Sequence, residues 1–282
     1  VTFTRFAPSP TGLLHLGHAF AARVARELAR SLGGTDLLRF EDIDHTRVRD
    51  EFYAAIIEDL DWLGLGGYPA PERQLAHTGG YRDALDALRR RGLVYPCFCS
   101  RREIEAEVAG MVRAPHGPEG PIYPGTCRRL DEAARRERLA AGREPAWRLD
   151  AAAAAAETGP LEFSDLRLGD FAVEPGLLGD VVLGRRDIGT SYHLAVVVDD
   201  GRQGITHVTR GEDLLGATHV QRLLQALLGL PRPAYLHHPL VTGADGRRLA
   251  KRDRARSIRQ FRESGHSPGE VLAMLPPIPE IR

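Results

Sequence analysis

The residues best suited to chemistry lie close to the start of the chain, in the string R-F-A-P-S-P-T-G-L-L-H-L-G-H, Arg5 to His18. Thr2–Ala7 reads as a short strand that runs into a Pro/Gly turn, and a helical apolar pattern begins at His15. A helix that starts after such a turn points its first amides at whatever binds there, and those amides favour an anion such as phosphate. His15 and His18 are three residues apart, so they share one face of the helix start. Gly17, between them, lacks a side chain and lets a planar base come close to the backbone. Two imidazoles beside a phosphate can stabilise the charge that grows during displacement at phosphorus.

Three further clusters carry reactive groups. R-F-E-D-I-D-H-T-R, Arg39 to Arg47, follows a second strand at Leu37–Phe40. Acids at the C-terminal end of a strand in an open α/β sheet face the binding crevice, where they can hold an ammonium group. S-Y-H-L-A-V-V-V-D-D, Ser191 to Asp200, is followed by V-T-R-G-E-D-L-L, Val208 to Leu215. The loop G-A-D-G-R-R-L-A-K-R-D, Gly243 to Asp253, holds Lys251, the only lysine among 38 basic residues. Where Arg replaces Lys everywhere else, the surviving Lys marks a position that needs a compact ammonium on a flexible stem.

All three cysteines, Cys97, Cys99 and Cys127, fall in one short window. An odd number argues against a secreted disulfide framework, and the clustering suggests a metal site in a reducing compartment. Three thiolates and one more donor make a closed tetrahedral zinc site. The fourth donor is left open by the residues themselves, between His116 and Tyr123.

The elements that must position these groups follow from periodicity. Helices are expected over His15–Arg30, Asp50–Leu63 (burying Phe52, Ile56, Leu60 and Leu63) and Tyr81–Arg91. Strand–helix alternation marks an open α/β sheet. The rhythm changes after Val94-Tyr95-Pro96. A Ser100-x-x-Glu103 capping box opens a short helix, a Pro/Gly-rich loop follows, and a helix is expected near Asp131–Ala140. Short strands are expected within residues 161–184. The α/β order then resumes, with a strand at Ile205–Thr209, a helix over Leu214–Leu228 and a strand at Tyr235–Val241. This predicts an α/β domain in two halves, 1–92 and 181–243, an insert at 93–180, and a loop and basic tail at 244–282.

The 282 residues are 43% hydrophobic and 27% charged, and the net charge is zero. Wholesale disorder and a global basic coat are therefore excluded. Charge is nevertheless segregated: residues 247–262 carry a net +7 and residues 35–61 a net −6. No stretch reads as a membrane span or signal-peptide core, so a cytoplasmic protein with no membrane partner is expected.

The fourteen-residue string resembles the HIGH region of class I aminoacyl-tRNA synthetases, in the glutamyl/glutaminyl branch. Gly243–Asp253 is similar to the KMSKS loop of that family, with Lys251 on its ATP-binding lysine. Arg248, Ala250 and Arg252 depart from the usual pattern there. The resemblance covers about Thr2 to Arg256. It implies a Rossmann-like class I catalytic domain with a zinc-bearing inserted subdomain and a short C-terminal KMSKS and tail region. It also implies roles. His15, His18 and Lys251 would assist attack of an amino-acid carboxylate on ATP, with Gly17 against the nucleotide. Arg5, Phe6, Ala7, Pro8, Ser9, Glu41, Tyr192 and Arg210 would bind L-glutamate, with Glu41 on its amine and Arg5 and Arg210 available for carboxylates. Either Arg could instead pair with Glu212 or Asp213.

The Cys-x-Cys…Tyr-x-x-x-Cys spacing resembles the zinc site of the glutamyl-Q tRNA(Asp) synthetases, which makes Tyr123 the fourth ligand. Only 30 residues follow Arg252, too few for an anticodon-binding domain with its own core. That points to the same truncated branch. Its members activate glutamate without tRNA and esterify queuosine at the wobble position of tRNA(Asp). ATP with Mg2+, one structural zinc, queuosine-bearing tRNA(Asp) as partner and a monomer are the matching expectations. The alternatives are a truncated glutamyl-tRNA synthetase that charges a tRNA 3′ end, and a non-enzymatic RNA-binding paralogue.

Overall fold

Strands and helices alternate from the first residues onward, as the apolar periodicity predicts. In the computed structural model, which describes residues 1–109, 116–117, 120–242 and 256–281, β1 (Phe3–Phe6) leads into α1 (Leu16–Ser31). β2 (Thr35–Phe40) leads into α2 (Asp50–Trp62), and the short β3 (Glu72–Arg73) leads through a 3-10 turn into α3 (Thr78–Arg90). Next come β4 (Val94–Cys97), α4 (Arg101–Ala109), β5 (His116–Gly117) and β6 (Gly120–Pro121). After a 3-10 turn at Thr126–Arg129 follow α5 (Glu132–Ala140), β7 (Ala146–Leu149) and α6 (Ala151–Thr158). The chain continues with β8 (Glu162–Asp165), β9 (Gly169–Ala172), β10 (Val182–Gly184), α7 (Tyr192–Arg202), β11 (His207–Gly211) and α8 (Leu215–Leu227). It closes with β12 (Ala234–His238), α9 (Ile258–Glu263) and α10 (Pro268–Ala273).

The strands β1, β2 and β3 form one parallel ladder, and β11, β12 and β8 another, with β9 antiparallel at its edge. The two ladders abut through β1 and β11, where the Thr206 amide donates to the Phe3 carbonyl at 3.0 Å. The spatial order is therefore β3-β2-β1-β11-β12-β8-β9. The order reverses between β1 and β11, and such a switch point opens a crevice at the C-terminal ends of the strands.

α1 exists because Ala19, Phe20, Val24 and Leu28 recur at helical spacing and are all buried. It ends where Gly33, at φ 63°, takes the left-handed conformation that a Cβ would strain. Its inner face shares a core with Ile56 and Leu60 of α2 and with Ile258, Phe261, Val271 and Leu275 from the C-terminal helices. The tail is also tied directly to the turn before α1: the Ile258 amide donates to the Leu14 carbonyl at 2.8 Å.

One expectation needs adjustment. Phe52 is half-buried, and Tyr53 takes the inner position instead, because the buried face of α2 runs through Tyr53, Ile56 and Leu60. The apolar run Leu194–Val198 lies in α7, where Leu194, Ala195, Val196 and Val197 are all buried because α3 and α8 both pack on that helix.

Residues 93–180 contribute to three sheets, one of them the β5–β6 pair. β4, β7 and β10 form an antiparallel sheet of their own. β8 and β9, from the same stretch, join β12 instead. The capping box before α4 forms as expected: Ser100 N donates to Glu103, and Glu103 N donates to Ser100 Oγ. No described helix is long and apolar enough to cross a membrane.

Candidate active site

A cavity of about 620 Å³ opens at the switch point. The end of β1 and the turn after it contribute Arg5, Phe6, Ala7, Pro8 and Ser9 to its wall. The start of α1 contributes His15, Gly17 and His18. Glu41 follows β2, Tyr192 opens α7 and Arg210 lies next to the end of β11. Residues more than 200 apart in sequence are thus brought together. Lys251 and its loop lie outside the described residues.

The start of α1 is a reciprocal cap made by the two histidines. The Gly17 amide donates to His15 Nδ1 at 3.1 Å, and the His15 amide donates to His18 Nδ1 at 3.2 Å. Both Nδ1 atoms are acceptors, so each neutral ring carries its proton on Nε2. The ring centroids are 3.9 Å apart. The cap therefore satisfies amides at the helix start and makes each ring a donor at its other nitrogen.

Beside it lies a buried charge cluster. Arg5 donates through Nε and Nη2 to Asp200 at 3.0 and 3.3 Å, and through Nη1 to the Thr209 carbonyl at 2.7 Å. Arg39, fully buried, donates to Asp200 at 2.8 Å and to Glu41 at 3.4 Å. Burial alone would raise the Asp200 pKa, but the two guanidiniums outweigh it and hold that carboxyl below the usual range. Glu41 goes the other way: burial raises its pKa, against the pull of Arg39 and Arg5. Arg5 thus has an internal carboxylate, and it is Asp200, not Glu212 or Asp213. Glu212 is paired with Arg167 at 2.7 Å.

Arg210 is placed differently. Its Nη1 donates to Gln221 at 2.6 Å and, more weakly, to the Tyr192 hydroxyl at 3.5 Å. Its Nη2 donates to Thr218 at 2.9 Å. These partners are all neutral, and Nε is buried with no hydrogen-bond partner among the described residues. A buried guanidinium without a matching carboxylate calls for an anion from the ligand.

The three thiols also converge. Cys97, Cys99 and Cys127 place their sulfurs within 4.8 Å of one another, and none is in a disulfide. The Tyr123 hydroxyl lies 3.5 Å from both Cys97 Sγ and Cys99 Sγ. Burial pushes the Cys99 thiol up to about 12. Burial acts the same way on Cys127, but hydrogen bonds to its sulfur from Tyr123 and the Phe98 amide outweigh it and lower its pKa. The His116 side chain lies outside the described residues.

Comparison with known proteins decides the family. The model of the family described as tRNA synthetases class I (E and Q), catalytic domain, matches residues 2–276. The chain belongs to this family. A glutamyl-Q tRNA(Asp) synthetase from Rhodobacter capsulatus is 50% identical, over 96% of this chain and 99% of the relative. One from Symbiobacterium thermophilum is 46% identical, over 96% of this chain and 84% of the relative. A crystal structure of a glutamate tRNA ligase from Elizabethkingia meningosepticum, in complex with its amino acid, superposes with a TM-score of 0.76 at 28% identity. It matches 95% of this chain and 58% of that one.

In this class I synthetase the site depends on residues to which the motifs gave no role. Arg39 and Asp200 tie together Arg5 and Glu41, and His238 and Val241 line the wall from the end of β12 onward. The only sequence signal for Asp200 was an apolar run that ended in two acids, a place where a buried carboxylate requires a cation.

Proposed function

We propose that the chain activates L-glutamate with ATP, without tRNA, and transfers the glutamyl group to queuosine at the wobble position of tRNA(Asp). The observation that carries the reading is Arg210, buried against neutral partners at the wall of a cavity that also holds Glu41. A ligand with a side-chain carboxylate and an α-amine fits that polarity, and the relatives named glutamyl-Q tRNA(Asp) synthetase point to the same substrate. Arg5, Phe6, Ala7, Pro8, Ser9 and Tyr192 would complete the glutamate site, with Glu41 on the amine.

The glutamate α-carboxylate would attack the α-phosphorus of ATP, and pyrophosphate would leave. His15 and His18 would donate from Nε2 to the phosphates, Gly17 would admit the nucleotide, and Lys251 would follow the charge that moves onto pyrophosphate. Glutamyl-adenylate would then yield its acyl group to a hydroxyl of the modified nucleoside. The working groups are held by other side chains of the same chain, so assembly of the site calls for no RNA. ATP would enter with magnesium, for which no side chain is assigned. The reading carries with it a cytoplasmic, monomeric enzyme.

Cys97, Cys99, Cys127 and the Tyr123 oxygen suit zinc as a donor set, three soft thiols and one oxygen in close array. A zinc ion there would cross-link β4, the start of α4 and the turn at Thr126–Arg129. The deciding experiment is transfer of labelled glutamate to tRNA(Asp) with and without queuosine, beside glutamate-dependent pyrophosphate exchange with no RNA. Label should enter queuosine-bearing tRNA alone. Charging of a 3′ end instead would overturn the assignment.

A further inference from the structure

Behind Arg210, away from the cavity, runs a line of buried hydrogen bonds that links four elements. Arg210 Nη2 donates to Thr218 Oγ1 at 2.9 Å. Thr218 Oγ1 lies 3.0 Å from His237 Nε2, and His237 Nδ1 lies 2.6 Å from Asp165 Oδ2. Asp165, His237 and Thr218 are all buried, on β8, β12 and α8.

The direction of each bond follows from chemistry. Asp165 accepts from the amides of Arg167 and Leu168 on one oxygen, and from the His237 amide and ring on the other. A carboxyl that accepts four bonds is ionised, and its pKa is lowered although burial opposes this. His237 must then carry its proton on Nδ1. Burial lowers the pKa of the ring, which stays neutral, so Nε2 is an acceptor. Thr218 has a single hydroxyl proton, and Nε2 is the acceptor that its oxygen meets at 3.0 Å. The Leu214 carbonyl is farther away, at 3.3 Å. With that proton given to His237, the Thr218 oxygen presents a lone pair to Arg210. The chain is polarised in one sense, from the guanidinium cation to the Asp165 anion.

We propose that Thr218, His237 and Asp165 are positioning residues that fix the plane of Arg210 and so set how tightly the site takes its substrate carboxylate. The proposal rests on the reading of Arg210 as the carboxylate's partner. It gives the β8–β9 hairpin a part in the active site, although no β8 residue lines the cavity.

The test is Thr218→Val, which keeps the shape and removes the hydroxyl, beside Thr218→Ser, which keeps the hydroxyl. Arg210→Ala serves as a control for the underlying reading. Each protein is assayed in ATP–pyrophosphate exchange for glutamate and ATP separately, with a thermal melt. Thr218→Val should raise the glutamate KM about ten-fold or more, as for loss of a hydrogen bond to a charged group, and leave the ATP KM unchanged. Thr218→Ser should stay near wild type. Should Thr218→Val melt below the assay temperature, Asp165→Asn is read the same way, because a neutral amide removes the anion that polarises the chain. If Arg210→Ala raises the glutamate KM while Thr218→Val or Asp165→Asn leaves it unchanged, the positioning role is wrong and the carboxylate reading survives. An unchanged KM in Arg210→Ala would overturn both.

Discussion

At the scale of single residues, Gly17 ties the backbone to the chemistry. A Cβ added there would sit 2.9 Å from His15 Cε1 and 3.1 Å from His15 Nδ1, closer than those atoms tolerate. The ring would have to swing away, and with it the Nε2 donor. Gly17→Ala should therefore cut pyrophosphate exchange about ten-fold or more, since a displaced catalytic group loses most of its orientation advantage. The melting point should fall little, because alanine favours the helix. Wild-type exchange in that variant would refute the argument. Lys251, outside the described residues, stands out in the sequence as the one lysine in a chain that otherwise uses arginine. Lys251→Ala should slow adenylate formation on the order of 100-fold, and Lys251→Arg should also be slow although the charge is kept. Exchange at the wild-type rate in Lys251→Arg would make the lysine a mere survivor. His15, His18 and Glu41 were equally legible, because strand ends and turns announce themselves locally. The partners of Arg5 and Arg39 were not: Asp200 is 195 and 161 residues away from them, and no local pattern encodes such a pairing.

At the scale of elements, the helices and the parallel strands were readable, and the pairing of strands within residues 93–180 was not. α1, α3 and α8 declare themselves by apolar spacing, and α4 by its capping box. The division of residues 93–180 among three sheets has no such signature. β8 reaches β12 through a single bridge, Asp165 beside Tyr235, and through the Leu166 amide on the Tyr235 carbonyl at 2.7 Å. The cysteine cluster stands between these cases. Its spacing was readable, but its closure depends on the end of β4 meeting the turn at Thr126–Arg129. Few apolar side chains surround it, chiefly Tyr95, Phe98, Ile104 and Leu130. A core so small leans on a cross-link. Elemental analysis should find about one zinc per chain, lost in Cys97→Ser and Cys127→Ser. Both variants, and the wild type after chelation, should be cut faster by protease within residues 98–130. Metal-free protein from a gentle, chelator-free preparation would end the zinc assignment. Retention of metal in Tyr123→Phe together with its loss in His116→Ala would pass the fourth position to His116.

At the scale of the whole molecule, the C-terminal segment is bound to the N-terminal helices by a core that has an anomaly at its edge. Asp59 on α2 is fully buried, and neither of its oxygens has a hydrogen-bond partner among the described residues. Among the described residues the cation paired with it, Arg262 on α9, stands 4.0 Å away and is already engaged by Glu58 at 3.0 Å. Burial therefore dominates, and it lifts the Asp59 carboxyl from 3.8 to about 6. The folded chain keeps this proton at pH values where the unfolded chain has lost it. Stability from this group is thus complete below 3.8 and drains away as pH rises to about 6. Above that, the buried charge costs about 2–3 kcal/mol, two pKa units at 1.36 kcal/mol each. Asp59→Asn removes the ionisation without changing the shape. At pH 7.5 the variant should melt about 5 °C or more above the wild type, and the gap should narrow as both are taken toward pH 4.5. Comparing the two proteins at each pH cancels the other carboxyls, which titrate alike in both. A gap that stays constant across that range would mean that Asp59 is already neutral, or already solvated, at pH 7.5.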